Sequence, residues 1–464
     1  MSADNDTVLR LRSTLTESLP YCSGTLDVHS RDLVLYYGKG TQTRRIDLSV
    51  ATTDELDALE KACEPAPFGR NDQTIFDDSY RKAGKMEIDE FMLGFDAERA
   101  GLIEVIRSSL FHGAEEEKFV RAELYKLNVY GKDAFFKPHT DTPRAENMFG
   151  SLVVVLPTPH EGGALILRHD QREWTFDSGA LLSEPGATSR IAFASFFSDV
   201  EHEVTSVKTG YRLTITYNLY FSPTRIGYFG APSSGLRVLQ PTSANTPAVS
   251  DVLAALLADN SILSEGGALG FGLQHQYPLP KSWIDGDSNP LEALQGWLKG
   301  GDAALFSACK DLGLKPQLYL VYENDNYEPI LPILLKQAIE VSEYDMENDS
   351  VTDVILRQWG GLVMLYHSLF SDSVPEKVCD DGKRRKYLQR LEDTYGYGYR
   401  VKETAGLPSK TVHMVTEMTT FNELKSTMVV DMGNEAGLCH MYKYVCLIVD
   451  VGPAGKRSEM RPEN

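Results

Sequence analysis

Between residues 149 and 220 the chain is a succession of short apolar runs rich in β-branched and aromatic residues, at 149–156, 161–168, 190–197, 202–208 and 211–220. Runs of this length separated by turn residues are the signature of strands, and strand after strand with short connections predicts an antiparallel barrel or jelly roll. The segment 149–156 reads as a buried strand because it carries almost no polar side chain. A glycine pair, Gly162-Gly163, leads into the next one.

This strand series encloses a small set of polar residues. His139-Thr140-Asp141 precedes it, His202 lies within it, and Arg212 follows ten positions later. On an extended segment alternate residues share a face, so His139 and Asp141 point the same way and Thr140 points away. Two imidazoles and one carboxylate form the facial ligand set of a non-haem Fe(II) site, which leaves open positions on the metal. A cysteine in their place would favour softer metals. Arg212 shares a strand face with Thr214 and Thr216, opposite Tyr211, Leu213, Ile215 and Tyr217. That polar face is either the exterior or a lumen, and the metal-type triad favours the lumen, where a guanidinium can hold a carboxylate through paired hydrogen bonds.

Taken together in this order, His139-x-Asp141, Gly162-Gly163-Ala164-Leu165, His202-Glu203-Val204 and Arg212-Leu213-Thr214 make the segment resemble the 2-oxoglutarate and Fe(II) dependent dioxygenases, in their prolyl 4-hydroxylase-like branch. The resemblance covers about residues 119 to 222. It implies Fe(II) held by His139, Asp141 and His202, with 2-oxoglutarate and O₂ as co-substrates, succinate and CO₂ as co-products, and ascorbate as an accessory reductant. It places the far carboxylate of 2-oxoglutarate on Arg212, with Thr214 adding a hydroxyl. Tyr130, nine residues before His139, takes the place of a tyrosine near the co-substrate, with Tyr125 as its rival. Many collagen-type members carry lysine where this chain has Arg212. The branch implies a prolyl residue of a protein or peptide as substrate. A small-molecule hydroxylase on the same scaffold and a non-catalytic interaction protein of the same fold are the alternatives; the intact triad argues against the second. A nucleic-acid demethylase is disfavoured because no arginine stands at 216–218.

Other polar residues have plainer readings. His160 and His169 flank the glycine-pair strand in turn-like positions and are expected at the surface. Asp199, three residues before His202, is read as a turn cap in preference to a group orienting that imidazole. Trp174 and Phe176 alternate on a strand and are expected to pack. Gly360-Gly361 and 395–399 are glycine motifs, but neither follows a strand and opens a helix as phosphate binding requires.

The expected fold class is α+β: a double-stranded β-helix (jelly-roll) core with supporting helices, then a second, mixed α+β domain. At 464 residues the chain exceeds one ordinary core. Residues 1–118 read as an α/β extension packing on the core, 119–222 as the core, 223–247 as a linker dense in turn residues, and 248–464 as the second domain. For the last, a degenerate barrel and an unrelated fold are both open. In the extension, 32–37 and 44–48 read as paired strands, 53–62 as a helix capped by Thr52 or Thr53, and 77–83 and 97–110 as further helices. The C-terminal part alternates helices at 249–258, 290–298 and 302–312 with strands at 317–322, 361–366, 410–417, 427–430 and 442–451.

The formal charge of −20 disfavours non-specific nucleic-acid binding, and only 383–386 resembles a basic patch. Six cysteines lie scattered without metal-type pairing, which fits a reducing compartment. The polar start lacks the pattern of a secretory signal, and no apolar run is long enough to cross a bilayer, so cytosol or nucleus is expected.

Overall fold

The computed structural model describes residues 3–70, 73–111, 118–183, 189–222, 235, 237–239, 248–277, 289–324, 332–337, 339, 354–368, 408–418, 424–431 and 436–458. The chain divides into two compact units, 19–245 and a second that joins 1–18 to 246–464. The 383–386 and 395–399 motifs and most of 223–247 fall outside the described residues.

The 19–245 unit is built on two antiparallel sheets. The larger has eight strands, and its centre runs Tyr21–Asp27, Arg190–Phe197, Met148–Val155, Arg212–Ser222, Phe119–Tyr130, Gly84–Glu87. The smaller has five strands, in the order Arg172–Phe176, Leu165–His169, Glu201–Val204, Phe135–His139, Arg81–Lys82. From residue 119 to 222 the chain crosses repeatedly from one sheet to the other, the antiparallel jelly-roll pattern anticipated from the strand series. Burial follows from composition: Leu152, Val154, Ile191, Phe193, Leu213, Ile215 and Leu219 are all at most 1 % exposed, each contributing about 1.5–3 kcal/mol of transfer free energy.

Around this core the extension forms as its local chemistry requires. Val34–Tyr37 pairs with Arg44–Asp47. The helix Thr53–Ala62 begins in a capping box in which Thr52 and Glu55 each accept the other's backbone N–H. Two expected helices differ. The 77–83 segment is a turn, where the Asp77 carboxylate accepts Ser79 N–H at 2.8 Å; the chain then becomes a strand edge in which Arg81 pairs with Phe136. Side-chain capture of a backbone donor competes with helix continuation. The other helix starts at Leu102, because Gly101 takes a left-handed conformation (φ 78°) immediately before it.

The second unit packs helices Ala3–Thr16, Val249–Ala258, Pro290–Gln295 and Gly300–Asp311 on a mixed sheet. Val8, Leu11 and Leu15, spaced for one helix face, enter its core beside Leu253 and Leu305. The strand Ser409–Thr416 runs parallel to both its neighbours, Gly267–Gly272 and Leu362–Ser368. Ala436–Val451 pairs with Pro316–Asn324 on one side and Gly267–Gly272 on the other, so six strands close into a ring. One face of the ring packs Ala268, Val321, Met364, Val412 and Ile448 against each other. The opposite face meets the helices. No helix among the described residues is long and apolar enough to cross a membrane.

Candidate metal and co-substrate site

His139 and His202 are brought together by strand pairing. The Phe135–His139 strand lies against Glu201–Val204 with His139 directly opposite His202, and their ring centres are 4.1 Å apart. Each ring has its Nδ1 fixed by a carbonyl two residues earlier, His139 to Lys137 O at 2.8 Å and His202 to Val200 O at 3.0 Å. A carbonyl only accepts, so Nδ1 carries the proton and the neutral ring presents Nε2 as a lone pair, the tautomer a metal needs. Burial, reinforced by the neighbouring His202, holds His139 well below the usual histidine range. It is therefore neutral at neutral pH.

Asp141 completes the group. Its Oδ1 lies 3.8 Å from His202 Nε2, while Oδ2 accepts a 2.6 Å hydrogen bond from Ser151 Oγ. One donor atom from each of His139, Asp141 and His202 lies within 4.8 Å of the others, an arrangement that can hold a metal ion. The donor set of two unprotonated imidazole nitrogens and a carboxylate fits ferrous iron. Rings pack behind these ligands. Phe136 stacks on His139 at 3.5 Å, Phe196 lies 4.6 Å from His202, and the Arg81 guanidinium covers the far side of Phe136 at 4.3 Å.

A cavity of about 120 Å³ opens from the triad between the two sheets, and Arg212 lines it with Thr214 and Tyr130. Arg212 is 1 % exposed. Its Nε and Nη2 have no hydrogen-bond partner, and burial pushes its pKa down to about 10. A buried guanidinium with two unpartnered nitrogens is costly, and an anion in the cavity would offset that cost. Gly163 makes room for it: a Cβ there would sit 2.8 Å from Arg212 Cδ and 2.9 Å from Val207, in a backbone conformation (φ +68°) that favours glycine. The glycine pair thus shapes the slot in which the arginine lies.

Tyr130 is the residue paired opposite Arg212, with its ring 5.5 Å from the guanidinium carbon. Thr214 is buried and paired opposite Asn128. Tyr125 also lines the cavity, but it sits at an irregularity in strand register between Leu124 and Lys126, and its hydroxyl accepts from Arg144. The structure therefore brings Tyr130 to the arginine and leaves Tyr125 farther along the strand.

Three expectations for neighbouring residues are corrected. His160 and His169 are buried, at 6 % and 8 % exposure. His160 bridges Thr158 O and Ser178 Oγ, at 2.8 and 3.2 Å, and burial lowers its pKa. His169 meets Asp199 at 3.1 Å, so the carboxylate expected to cap the turn contacts an imidazole other than His202. A turn-like position suggested exposure, whereas both are strand ends, of His160–Gly162 and Leu165–His169. Sequence reasoning missed Ser151, Phe136, Arg81, Lys126 and Asn128. For the last two a signal existed, since Lys126, Asn128 and Tyr130 alternate as polar or amphipathic residues on one strand face.

Residues 125–220 match the family model described as the 2OG-Fe(II) oxygenase superfamily. The matched segment carries the whole triad and Arg212. Among solved structures, the chain is similar to a prolyl-4-hydroxylase of Pseudomonas putida, at 19 % identity over 46 % of this chain and 99 % of that one, with a TM-score of 0.29. A prolyl hydroxylase of Trichoplax adhaerens, solved with a hypoxia inducible factor peptide fragment, matches at 15 % identity over 47 % and 93 %, with a TM-score of 0.26. A viral collagen prolyl hydroxylase from Paramecium Bursaria Chlorella virus-1 matches at 11 % identity over 44 % and 97 %, with a TM-score of 0.22. No curated protein matches the chain.

Proposed function

We propose that the 119–222 region is an Fe(II)- and 2-oxoglutarate-dependent dioxygenase that hydroxylates its substrate, with a prolyl residue in a protein or peptide as the substrate class. The observation that carries the reading is the pairing of a His-Asp-His donor set with a buried Arg212, its Nε and Nη2 unpartnered, in one cavity. When bound, Fe(II) with 2-oxoglutarate and O₂ supplies the oxidising power to place one oxygen into a C–H bond, yielding succinate and CO₂.

The chain's own contributions are positional and electrostatic. His139 and His202 offer Nε2, and Asp141 offers the oxygen not taken by Ser151. Arg212 holds the far carboxylate of 2-oxoglutarate through charge-assisted hydrogen bonds, and Thr214, on the same strand face, adds a neutral donor. Tyr130 backs the guanidinium. Val153, Leu165, Phe196 and Val204 supply apolar wall and keep water from the reacting centre.

The test is succinate formation from 2-oxoglutarate with Fe(II). His139→Ala and Asp141→Ala abolish it. Arg212→Ala retains metal binding but needs about 100-fold more 2-oxoglutarate, the effect of removing one charged partner in a buried site. Normal turnover by His139→Ala overturns the metal assignment. Proline-containing peptides compared with small metabolites decide the substrate class, and stimulation by metabolites alone would replace the prolyl reading with a small-molecule hydroxylase.

A further inference from the structure

The cavity holds two more cations than the proposed chemistry uses. Lys126 and Arg81 line it together with Arg212, while Asp141 is the sole lining carboxylate among the described residues. Both are 8 % exposed. Lys126 shares a strand face with Asn128 and Tyr130, and the Asn128 side chain accepts from Arg81 Nη2 at 2.8 Å. Arg81 is therefore held by the asparagine two residues along the strand from Lys126. Among the described residues no carboxylate lies within ion-pair distance of either. Glu87, opposite Lys126 in the strand ladder, is engaged with Lys85 at 2.5 Å. The Lys126 ammonium instead rests 3.9 Å from the Tyr125 ring centre, and Arg81 keeps its Nε unpartnered.

Local charge here runs against the whole chain, which carries −20. Arg81 also donates Nη1 to Pro67 O at 2.8 Å, but neutral acceptors leave the charge of two buried, mutually repelling cations without a counter-charge, which an anion would offset. Burial lowers the Lys126 pKa, and Arg81 adds to the effect. The anion is not the 2-oxoglutarate end bound by Arg212. Arg212 pairs with Tyr130, four residues along the strand from Lys126, which is roughly 13 Å at about 3.3 Å per residue.

We propose that Lys126 and Arg81 form a second anion position that takes a carboxylate of the molecule to be oxidised, making this an oxygenase for acidic substrates. The inference rests on the dioxygenase reading above. Its shared chemistry is a carboxylate beside the target carbon, carried either by an acidic peptide or by a free carboxylic acid.

The experiment uses the full chain loaded with Mn(II), which binds without turnover, and saturated with 2-oxoglutarate. Calorimetric titration compares two blocked tripeptides that differ only in Glu or Gln beside proline, and N-acetylglutamic acid α-amide, whose γ-carboxylate is its one charge, with N-acetylglutamine α-amide. The acidic member of at least one pair binds about tenfold or more tightly than its neutral partner, as one charge-assisted hydrogen bond provides. Lys126→Met removes the preference, Lys126→Arg keeps most of it, and Lys126→Glu transfers it to a tripeptide with Lys in place of Glu. Preference confined to the tripeptides assigns a peptide substrate, and preference in the N-acetyl pair assigns a small acid. Equal binding, no binding, or a preference that survives Lys126→Met overturns the proposal. Uptake of 2-oxoglutarate is measured first: if it fails, or is unchanged in Arg212→Ala, the dioxygenase reading itself falls, whereas its success without an acid preference removes only the second anion position.

Discussion

Among the charged residues each unit buries, Asp302 and Arg212 are treated in opposite ways. In the C-terminal unit Asp302, 3 % exposed, accepts hydrogen bonds from Gln274 N–H at 2.9 Å, His275 N–H at 3.1 Å and the Tyr277 hydroxyl at 2.9 Å. In the 19–245 unit Arg212, 1 % exposed, leaves Nε and Nη2 without partners. The first charge ties a strand end to the start of the Gly300–Asp311 helix. The second is an interaction waiting for a ligand. Satisfaction of hydrogen-bonding capacity, more than burial or charge, separates a structural ion from a functional one.

Breaking each charge should expose that difference. Asp302→Ala leaves three buried donors unsatisfied and costs the C-terminal unit about 3 kcal/mol or more, read as faster amide exchange in the Gly267–Gly272 strand. Arg212→Met does the reverse. It lowers 2-oxoglutarate affinity about 100-fold, while the ligand-free protein keeps or gains about 1 kcal/mol of stability, because an unpaired buried charge has been replaced by packing. Equal destabilisation by both substitutions would break the comparison.

Smaller changes sharpen it. Gly163→Ala forces a strained backbone against the arginine stem, costing roughly 1–3 kcal/mol and raising the 2-oxoglutarate requirement with little change in metal affinity. Ser151→Ala releases one Asp141 oxygen and weakens Mn(II) binding about tenfold, as titration by electron paramagnetic resonance would record. The smallest effect concerns pH. Burial outweighs the donors to Asp302 and holds its carboxyl above the usual aspartate range, so the folded unit binds that proton more tightly than the unfolded chain. Stability from this group is full below the unfolded pKa and is lost as pH rises through the raised one. Asp302→Asn should flatten that slope in denaturation at several pH values.

How much of this could be read from the residues alone depended on distance along the chain. The His139-x-Asp141 alternation, the Arg212 and Thr214 face and the strands around them were legible because they rest on period-two patterning within a few residues. The capped helix after Thr52 was legible for the same local reason. Arg81 and Ser151 were not, since what defines each is a partner on another segment: Asn128 for Arg81 and Asp141 for Ser151. The helix Ala3–Thr16 escaped notice because its polar residues dominate, although Val8, Leu11 and Leu15 carried the helical spacing. The ring closure was invisible because Gly267–Gly272 is poor in side chains, and its partners lie far off at 412–416 and 446–451.

That N-terminal helix has a consequence for how the molecule comes into being. Its apolar stripe belongs to the core otherwise formed by residues after 246, so this core is assembled from segments on either side of the 19–245 unit. During synthesis the oxygenase unit emerges complete and can fold as the ribosome moves on. The helix, made before that unit, must then wait, its leucines uncovered, until the strand ending at Val451 arrives.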